Sequence, residues 1–389
     1  MRVLVAHNLY RSATPSGENQ LVRAEIDLLR AHGVEVVEML ADSDDIAGGL
    51  RGVLQAAPGP VYSRAGVRRF TRLLDETRPD VVHLHNVFPL ISPWVARVAH
   101  GRKVPVVQTV HNYRHGCVNG LHLRDGQPCT DCLGTRLGLP AVHHGCYRDS
   151  RLQTIPMTIG QAVHRGTWRD DVACYFVLTP FMRDQLVVTG VPADRIRIRP
   201  TWVPDPGAAA SPGRDVLYVG RLDEPKGIDR LLDAWSAGGA ASGRTLTVVG
   251  DGPLRPQVEQ AAVGGSVRWL GQLPPAGVTA AMEEAAYVVV PSRVFEGYPL
   301  VVAEAFGRGR PVLTVSGGSV GTVVDDRTGW VVPPTVEALA AAIAGIDDEE
   351  AHSRGARART SYEAHNTPDR GLASLLAGYD AAIGSAATA

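Results

Sequence analysis

The stretch Pro291-Ser292-Arg293-Val294-Phe295-Glu296-Gly297-Tyr298-Pro299-Leu300-Val301-Val302-Ala303-Glu304-Ala305-Phe306-Gly307 decides how this chain is read. It follows a β-branched run, 287–290, which Pro291 terminates, so a strand feeds directly into a loop. Pro299 suits the first turn of a helix, where its missing N–H costs nothing. Apolar residues crowd both sides of Glu304, so that helix is expected to be buried. Glu296 on the loop and Glu304 a little over one turn into the helix lie beside first-turn N–H groups. Those groups have no helical partner and are natural holders of phosphate. A strand, a chemistry-bearing loop and a helix form the repeating unit of a parallel α/β sheet, whose ligands bind beyond the carboxyl ends of the strands. A buried N-terminal carboxylate plus a surface glutamate is the plainer alternative, and the apolar surroundings of Glu304 argue against it.

Two earlier loops share this design. Tyr218-Val219-Gly220-Arg221-Leu222-Asp223-Glu224-Pro225-Lys226-Gly227 sets two cations, Arg221 and Lys226, five residues apart at the start of a helix. Fixed cations before a helix N-terminus suit a diphosphate, and surface charges with local carboxylate partners would give the same pattern. Val249-Gly250-Asp251-Gly252-Pro253 places two glycines around Asp251 after a strand, which permits close backbone approach and is also a common turn. It is not G-x-G-x-x-G, which counts against a nicotinamide-dependent oxidoreductase.

Working outward, short β-branched runs alternate with amphipathic stretches across the whole chain. Strands are expected at 3–6, 34–40, 81–85, 104–110, 173–178 and 196–199, with a helix over 19–32 that Gly33 ends. A Pro-, Ala- and Gly-rich stretch without periodicity, 205–213, reads as a linker. The pattern then restarts with strands at 216–219, 246–249, 267–270, 287–290 and 311–315, and a late helix over about 367–383 closes the chain. At 389 residues the sequence exceeds one ordinary core. The expected division is a Rossmann-like N-terminal domain, 1–204, with an insertion at 114–150; a linker, 205–213; a Rossmann-like C-terminal domain, 214–366; and a terminal helix, 367–389, that packs back on the N-terminal domain.

Glu296 and Glu304, with seven residues between them, resemble the E-x7-E motif of retaining glycosyltransferases of family 4. The Gly220-Arg221-Leu222…Lys226-Gly227 segment and the Gly250-Asp251-Gly252-Pro253 turn are similar to the same family, and the resemblance covers essentially the whole chain. It implies the GT-B fold, two Rossmann-like parallel-sheet domains facing across a cleft. It also implies transfer of a sugar, with retention, from a nucleotide-diphosphate sugar donor to a hydroxyl acceptor: a cell-surface glycan, a lipid-linked glycan or a small natural product. Arg221 and Lys226 would then offset charge on the leaving diphosphate, in place of a catalytic metal, so no cofactor is expected for catalysis. Glu296 would hold the donor sugar and Glu304 the ribose. Gly250, Asp251, Gly297, Tyr298, Pro299 and Leu300 complete the donor contacts. In the first half the family usually carries a Gly pair after strand one. Here Ser16-Gly17 stands there, so close approach rests on Gly17, and Glu18 and Asn19 are equally candidates for helix capping. A His at the end of the fourth strand faces the donor sugar in the related enzymes, and His111 is the match. Such a His can donate to a sugar hydroxyl or a developing negative charge. His83 and His85 are weaker candidates for lining the acceptor side.

Four of the five cysteines fall in the insertion: Cys117, Cys129, Cys132 and Cys146, spaced C-x11-C-x2-C-x13-C. Tetrahedral Zn²⁺ as a structural site suits this set, and free thiols or a redox pair are the other readings. His115, His122, His143 and His144 are substitute ligands. A similar cluster recurs in a subset of the resembled family.

With 44% hydrophobic and 20% charged residues the composition is globular. No apolar run approaches the roughly 20 residues of a membrane span, and the start reads as a first strand rather than a signal peptide, so a cytoplasmic location, extending to the inner membrane face, is expected. Residues 1–203 carry 24 Lys+Arg against 18 Asp+Glu, and 11 of the 13 histidines. This basic half suits peripheral contact with an anionic membrane or an anionic acceptor, and a plain solvated surface explains the excess as well. The helix-spaced Arg64, Arg68, Arg69 and Arg72 read as such a face. Nucleic acid is not an expected partner. Rival readings are another enzyme of the same fold, such as a nucleotide-sugar epimerase or a phosphorylase, and a zinc-containing binding module without catalysis.

Overall fold

The computed structural model describes residues 1–13, 16–208, 211 and 213–388. Thr14 and Pro15 of the loop after the first strand, and three residues of the 205–213 linker, lie outside the described residues. The chain divides into two compact units. One comprises Met1–His122, Thr130–Arg199 and Leu372–Ala389, the other Leu123–Cys129 and Pro200–Gly371.

The first unit is built on β1 (Arg2–Leu9), β2 (Glu35–Asp42), β3 (Val81–Leu84) and β4 (Val106–Val110), joined by β7 (Cys174–Val177) and β8 (Ile196–Ile198). All pairings are parallel, in the order β2-β1-β3-β4-β7-β8. The helix Gly17–Ala31 starts where Ser16 Oγ accepts from the Asn19 N–H, so Ser16 is the cap and Glu18 and Asn19 are left for other work. Leu21, Val22, Glu25, Ile26 and Leu29 form its buried stripe, an apolar face with one carboxylate set in it. The last helix, Pro368–Thr388, lays Leu372, Leu375, Tyr379 and Ala382 against Val3, Val5, Val107 and Phe176 of this sheet. Arg64, Arg68, Arg69 and Arg72 are all exposed on the helix Arg64–Thr77, whose inner face is Val67, Phe70 and Leu74: a solvated cationic face.

The second unit contains β9 (Asp215–Val219), β10 (Leu246–Val249), β11 (Val267–Trp269), β12 (Ala285–Val290), β13 (Val312–Val315) and β14 (Gly329–Val332), again all parallel, ordered β11-β10-β9-β12-β13-β14. Numbered within the unit this is 3-2-1-4-5-6, the dinucleotide-fold order, which reverses between β9 and β12. Its core packs Tyr218, Leu222, Ile228, Trp235 and Tyr287 with strand valines.

The units part at Arg199–Pro200, ahead of the linker read from composition. Asn366 Nδ2 donates to the Thr201 carbonyl at 2.6 Å, and the Tyr362 hydroxyl to that of Val203 at 3.0 Å, so 201–203 is tied to the second unit. Within the insertion, a short antiparallel hairpin, β5 (Leu123–Arg124) with β6 (Gln127–Pro128), belongs to the second unit.

Candidate active site

The sheet order of the second unit makes the loops after β9 and β12 neighbours at the reversal point, and backbone contacts fasten them together. Arg293 N–H donates to the Pro225 carbonyl at 2.9 Å. Gly227 has φ 73°, and a Cβ there would sit 2.1 Å from the Pro291 carbonyl oxygen, so only glycine lets the loops meet. The β10 loop is locked in likewise. At Gly250, φ 139°, a Cβ would fall 1.9 Å from the Gly220 carbonyl oxygen.

Side chains converge on this frame. Lys226 Nζ donates to Glu296 Oε1 at 2.6 Å, and Ser292 Oγ donates to the same oxygen at 2.7 Å. Asp223 caps the turn by accepting from the Lys226 N–H at 3.1 Å and is ion-paired with Arg221. The sequence-predicted Arg221, Lys226 and Glu296 therefore form one chain of contacts, with Asp223 and Ser292 as members that sequence reasoning missed. The signal was there for Asp223, an acidic side chain three residues before Lys226 at a helical turn. Burial, with Asp223 and Glu296 nearby, pushes the Tyr218 phenol upward. Glu304 is half-buried on the helix Leu300–Gly307, and burial raises its carboxyl above the usual range. Pro299 stands just ahead of that helix rather than in its first turn: its ψ of 128° is extended, so helical geometry begins at Leu300. Tyr298 is buried and accepts from Asn366 Nδ2 at 3.1 Å, its phenol pushed up to about 12 by burial. Gly297 is half-buried between these groups. Asp251 is exposed and turns back on its own loop, accepting from the Gly252 N–H at 2.7 Å. A cleft of about 660 Å³ adjoins Glu296 through Ser292 and is lined by Arg230, Phe295, Ser316 and Gly318.

In the first unit the sheet order reverses between β1 and β3, and a cleft of about 290 Å³ opens there beside Glu18, His85, Gln108, His111 and Arg114. Gly17 begins the adjacent helix and is exposed. Glu18 accepts from the Tyr10 hydroxyl at 3.1 Å; burial, only partly offset by Tyr10 and Arg114, pushes its carboxyl up to about 7. Behind the cleft lies a buried polar chain. Burial alone would raise Glu25, but Arg199, 2.6 Å away, and His85 and His83 outweigh it and hold the carboxyl well below its usual value. Glu25 Oε1 faces His85 Nε2 at 3.4 Å, and His85 Nδ1 lies 2.9 Å from His111 Nε2. One proton is shared between these two ring nitrogens, which ties His111 to His85. His111 is thus held from behind by His85 and lines the cleft where the sequence reading set it. Burial holds the His111 pKa well below its ordinary value, so the ring is neutral.

His83 has both nitrogens engaged, with the Tyr379 hydroxyl at 2.7 Å and Thr109 Oγ1 at 2.8 Å. Glu25, His83 and His85 bring three ligating atoms within 4.8 Å of one another, but the Arg199 guanidinium already occupies the carboxylate, which makes the group an ion-paired core. In the insertion, Cys132 and Cys146 both pack on a small cluster of Val118, Ala141 and Met157, and the Cys117 thiol donates to Asn119 Oδ1 at 3.0 Å. Cys129 ends the segment assigned to the second unit.

Residues 16–202 match the family described as glycosyl transferase 4-like domain, and residues 213–347 the one described as glycosyl transferases group 1. The chain is 30% identical to a glycogen synthase of Mycobacterium tuberculosis over 365 residues, covering 89% of this chain and 80% of the relative. It is 27% identical to a phosphatidyl-myo-inositol mannosyltransferase of Mycobacterium leprae over 350 residues, 83% and 81% of the two chains. Among solved structures, sucrose-phosphate synthase from Thermosynechococcus elongatus superposes with a TM-score of 0.65 at 22% identity, covering 97% of both chains. Anabaena HepE in complex with UDP gives 0.65 at 15%, covering 97% of this chain and all of that one. The structural likenesses establish the GT-B fold, and the sequence matches go further: this chain belongs to the family 4 type of GT-B glycosyltransferases.

Proposed function

We propose that the chain transfers a sugar, with retention of anomeric configuration and without a catalytic metal, from a nucleotide-diphosphate sugar to a hydroxyl acceptor. The observation that carries this reading is the contact of Lys226 with Glu296 at the reversal point of the second sheet, with Arg221 on the same turn. A diphosphate arriving there meets two fixed cations, and Lys226 exchanges a carboxylate for phosphate oxygens. As the bond from the anomeric carbon to the diphosphate oxygen breaks, charge grows on that oxygen and the cations stabilise it. Glu296, freed from Lys226 and still bonded to Ser292, accepts from donor-sugar hydroxyls. The leaving phosphate takes the acceptor's proton. The complexes of Anabaena HepE, a relative in fold, with UDP and with UDP and glucose support a donor of this class. Transfer and donor hydrolysis by Glu296→Ala, Lys226→Ala and Arg221→Ala test it. Each is expected to lose about 100-fold or more in kcat, and near wild-type rates in all three would defeat the assignment.

The insertion is proposed to hold a structural Zn²⁺ through Cys117, Cys129, Cys132 and Cys146. Four thiols fit the metal's preference, and the three-residue cluster beneath Cys132 and Cys146 is too small a core to order the segment unaided. Metal analysis of the purified protein, expected to give one zinc per chain, checks this.

A further inference from the structure

We propose that the helix Arg151–Gly166 docks on an anionic lipid surface. Leu152 is 81% exposed, Ile159 47%, Ile155 39% and Val163 37%, all on one stripe of this helix. Their three- and four-residue spacing makes a continuous apolar line. The opposite face is already used. Thr154, Met157, Thr158, Gly160 and His164 are buried, Gly160 packs against the Pro60 backbone, and His164 Nε2 lies 2.7 Å from the Val61 carbonyl. The helix cannot rotate to hide its outer stripe, so water meets a row of large aliphatic side chains, which monomeric surfaces avoid unless it serves binding. Leu137 and Leu139, also exposed, extend the apolar surface at the segment beside Thr158 and Gln161 where Gly138 packs.

The charge around the stripe selects the partner. Between residues 133 and 166 the chain carries Arg136, Arg148, Arg151 and Arg165 against Asp149 alone. Arg136, Arg148 and Arg151 are exposed. An aliphatic line framed by arginines is the composition of a helix that lies in the headgroup region of an anionic bilayer. A second copy of this chain fits poorly, because a two-fold contact through the stripe would bring the same arginines face to face. Pro156 has no N–H for the Leu152 carbonyl, which leaves that group to water or headgroups, as an interfacial position allows and a spanning one does not. No helix among the described residues is long and apolar enough to cross a membrane. Tyr62, 41% exposed and stacked edge-on against Trp94 near the His164 end of the helix, adds an amphipathic aromatic of the kind that sits at headgroup level.

This goes beyond the transferase reading and does not depend on it. The test is co-sedimentation of the full chain with phosphatidylcholine vesicles, with and without phosphatidylglycerol, beside Leu152→Ser/Ile159→Ser and Arg148→Glu/Arg151→Glu. The wild type is expected to pellet with the phosphatidylglycerol vesicles and to be released by salt, and each double variant to bind at least about tenfold more weakly. Unchanged melting temperatures of the variants show that their folds are intact. Failure of the wild type to bind, equal binding by the variants, or a solution dimer that the Leu152→Ser/Ile159→Ser change dissociates would each overturn the proposal. Transfer to a water-soluble acceptor, which the variants should retain, separates this outcome from failure of the catalytic reading.

Discussion

Lys226 and Glu296 neutralise one another at 2.6 Å before any donor is present, so the two single substitutions have different consequences. Lys226→Ala leaves Glu296 with Ser292 and removes phosphate binding, and is expected to raise the donor KM and lower kcat together. Glu296→Gln keeps a hydrogen-bonding side chain beside Ser292 but gives up a charged acceptor, so kcat falls with less effect on donor KM. Steady-state kinetics in donor concentration separate the two, and identical profiles would mean that the two side chains do not act in distinct ways. Behind His111, His85→Leu removes the hydrogen-bond partner that holds its Nε2. A loss on the order of tenfold in kcat is expected, with His85→Gln recovering part of it through a side chain that can still hydrogen-bond. Gly250→Ala brings a Cβ within 1.9 Å of the Gly220 carbonyl, and is expected to lower stability by about 2–4 kcal/mol, read as a shift in denaturant midpoint at constant slope. The contact of Lys226 with Glu296 joins residues that spacing after strands had singled out, while no hydrogen bond or ion pair joins Glu304 to them among the described residues. Glu25 and Arg199 were not legible in the sequence, because 174 residues separate them and a lone Glu in an apolar stripe reads as a solvated flank.

Among elements, β10 spans the same residues as its β-branched run, and the other strands that were read from the sequence differ by a few residues at their ends, since strand ends depend on the neighbour's register. β14 escaped notice because four residues with a half-buried Trp330 offer too short a run to separate from a turn. The helix Asp348–His365 escaped for a different reason. Apart from Tyr362, its buried positions are Ala351, Gly355 and Ala358, small side chains that carry little hydrophobic signal yet let the helix pack closely. The terminal helix was legible as a helix, and its docking surface came from the sheet it covers. A Cβ at Gly378 would meet Phe176 Cζ at 2.2 Å, and Phe176 is fully buried. Gly378→Val is therefore expected to lower stability by about 1–3 kcal/mol through overpacking. Tyr379→Phe, which only deletes the hydroxyl bonded to His83, should cost about 1 kcal/mol. Thermal unfolding of both variants checks the order, and a milder effect for Gly378→Val would contradict the close packing.

Across the molecule the titratable groups are distributed unevenly between the units, and this sets how the protein responds to acid. Burial lowers the pKa of His7 to about 3 and of His115 and His164 to about 4, and holds His83 and His111 well below the ordinary range. All five belong to the first unit. Below about pH 6.5 an unfolded chain takes up protons on these rings while the folded one does not. Their contribution to stability is thus complete above that value and is lost as pH falls toward the folded pKa values. Glu25, held low by Arg199, adds a further loss in the same direction below about pH 4.5. Glu18 and Asp171 work the opposite way: Glu18, pushed up to about 7, and Asp171, raised by burial, destabilise the fold as pH rises, two groups against five. The second unit carries only His352 and His365, both exposed. Acidification from pH 7 to pH 5 should accordingly loosen the first unit while the second stays ordered. Hydrogen exchange resolved by segment would show it: amides of β1, β3 and β4 lose protection at pH 5, and those of β9, β10 and β12 keep theirs. Equal loss in both sheets, or earlier loss in the second, would mean that the buried histidines do not govern acid stability.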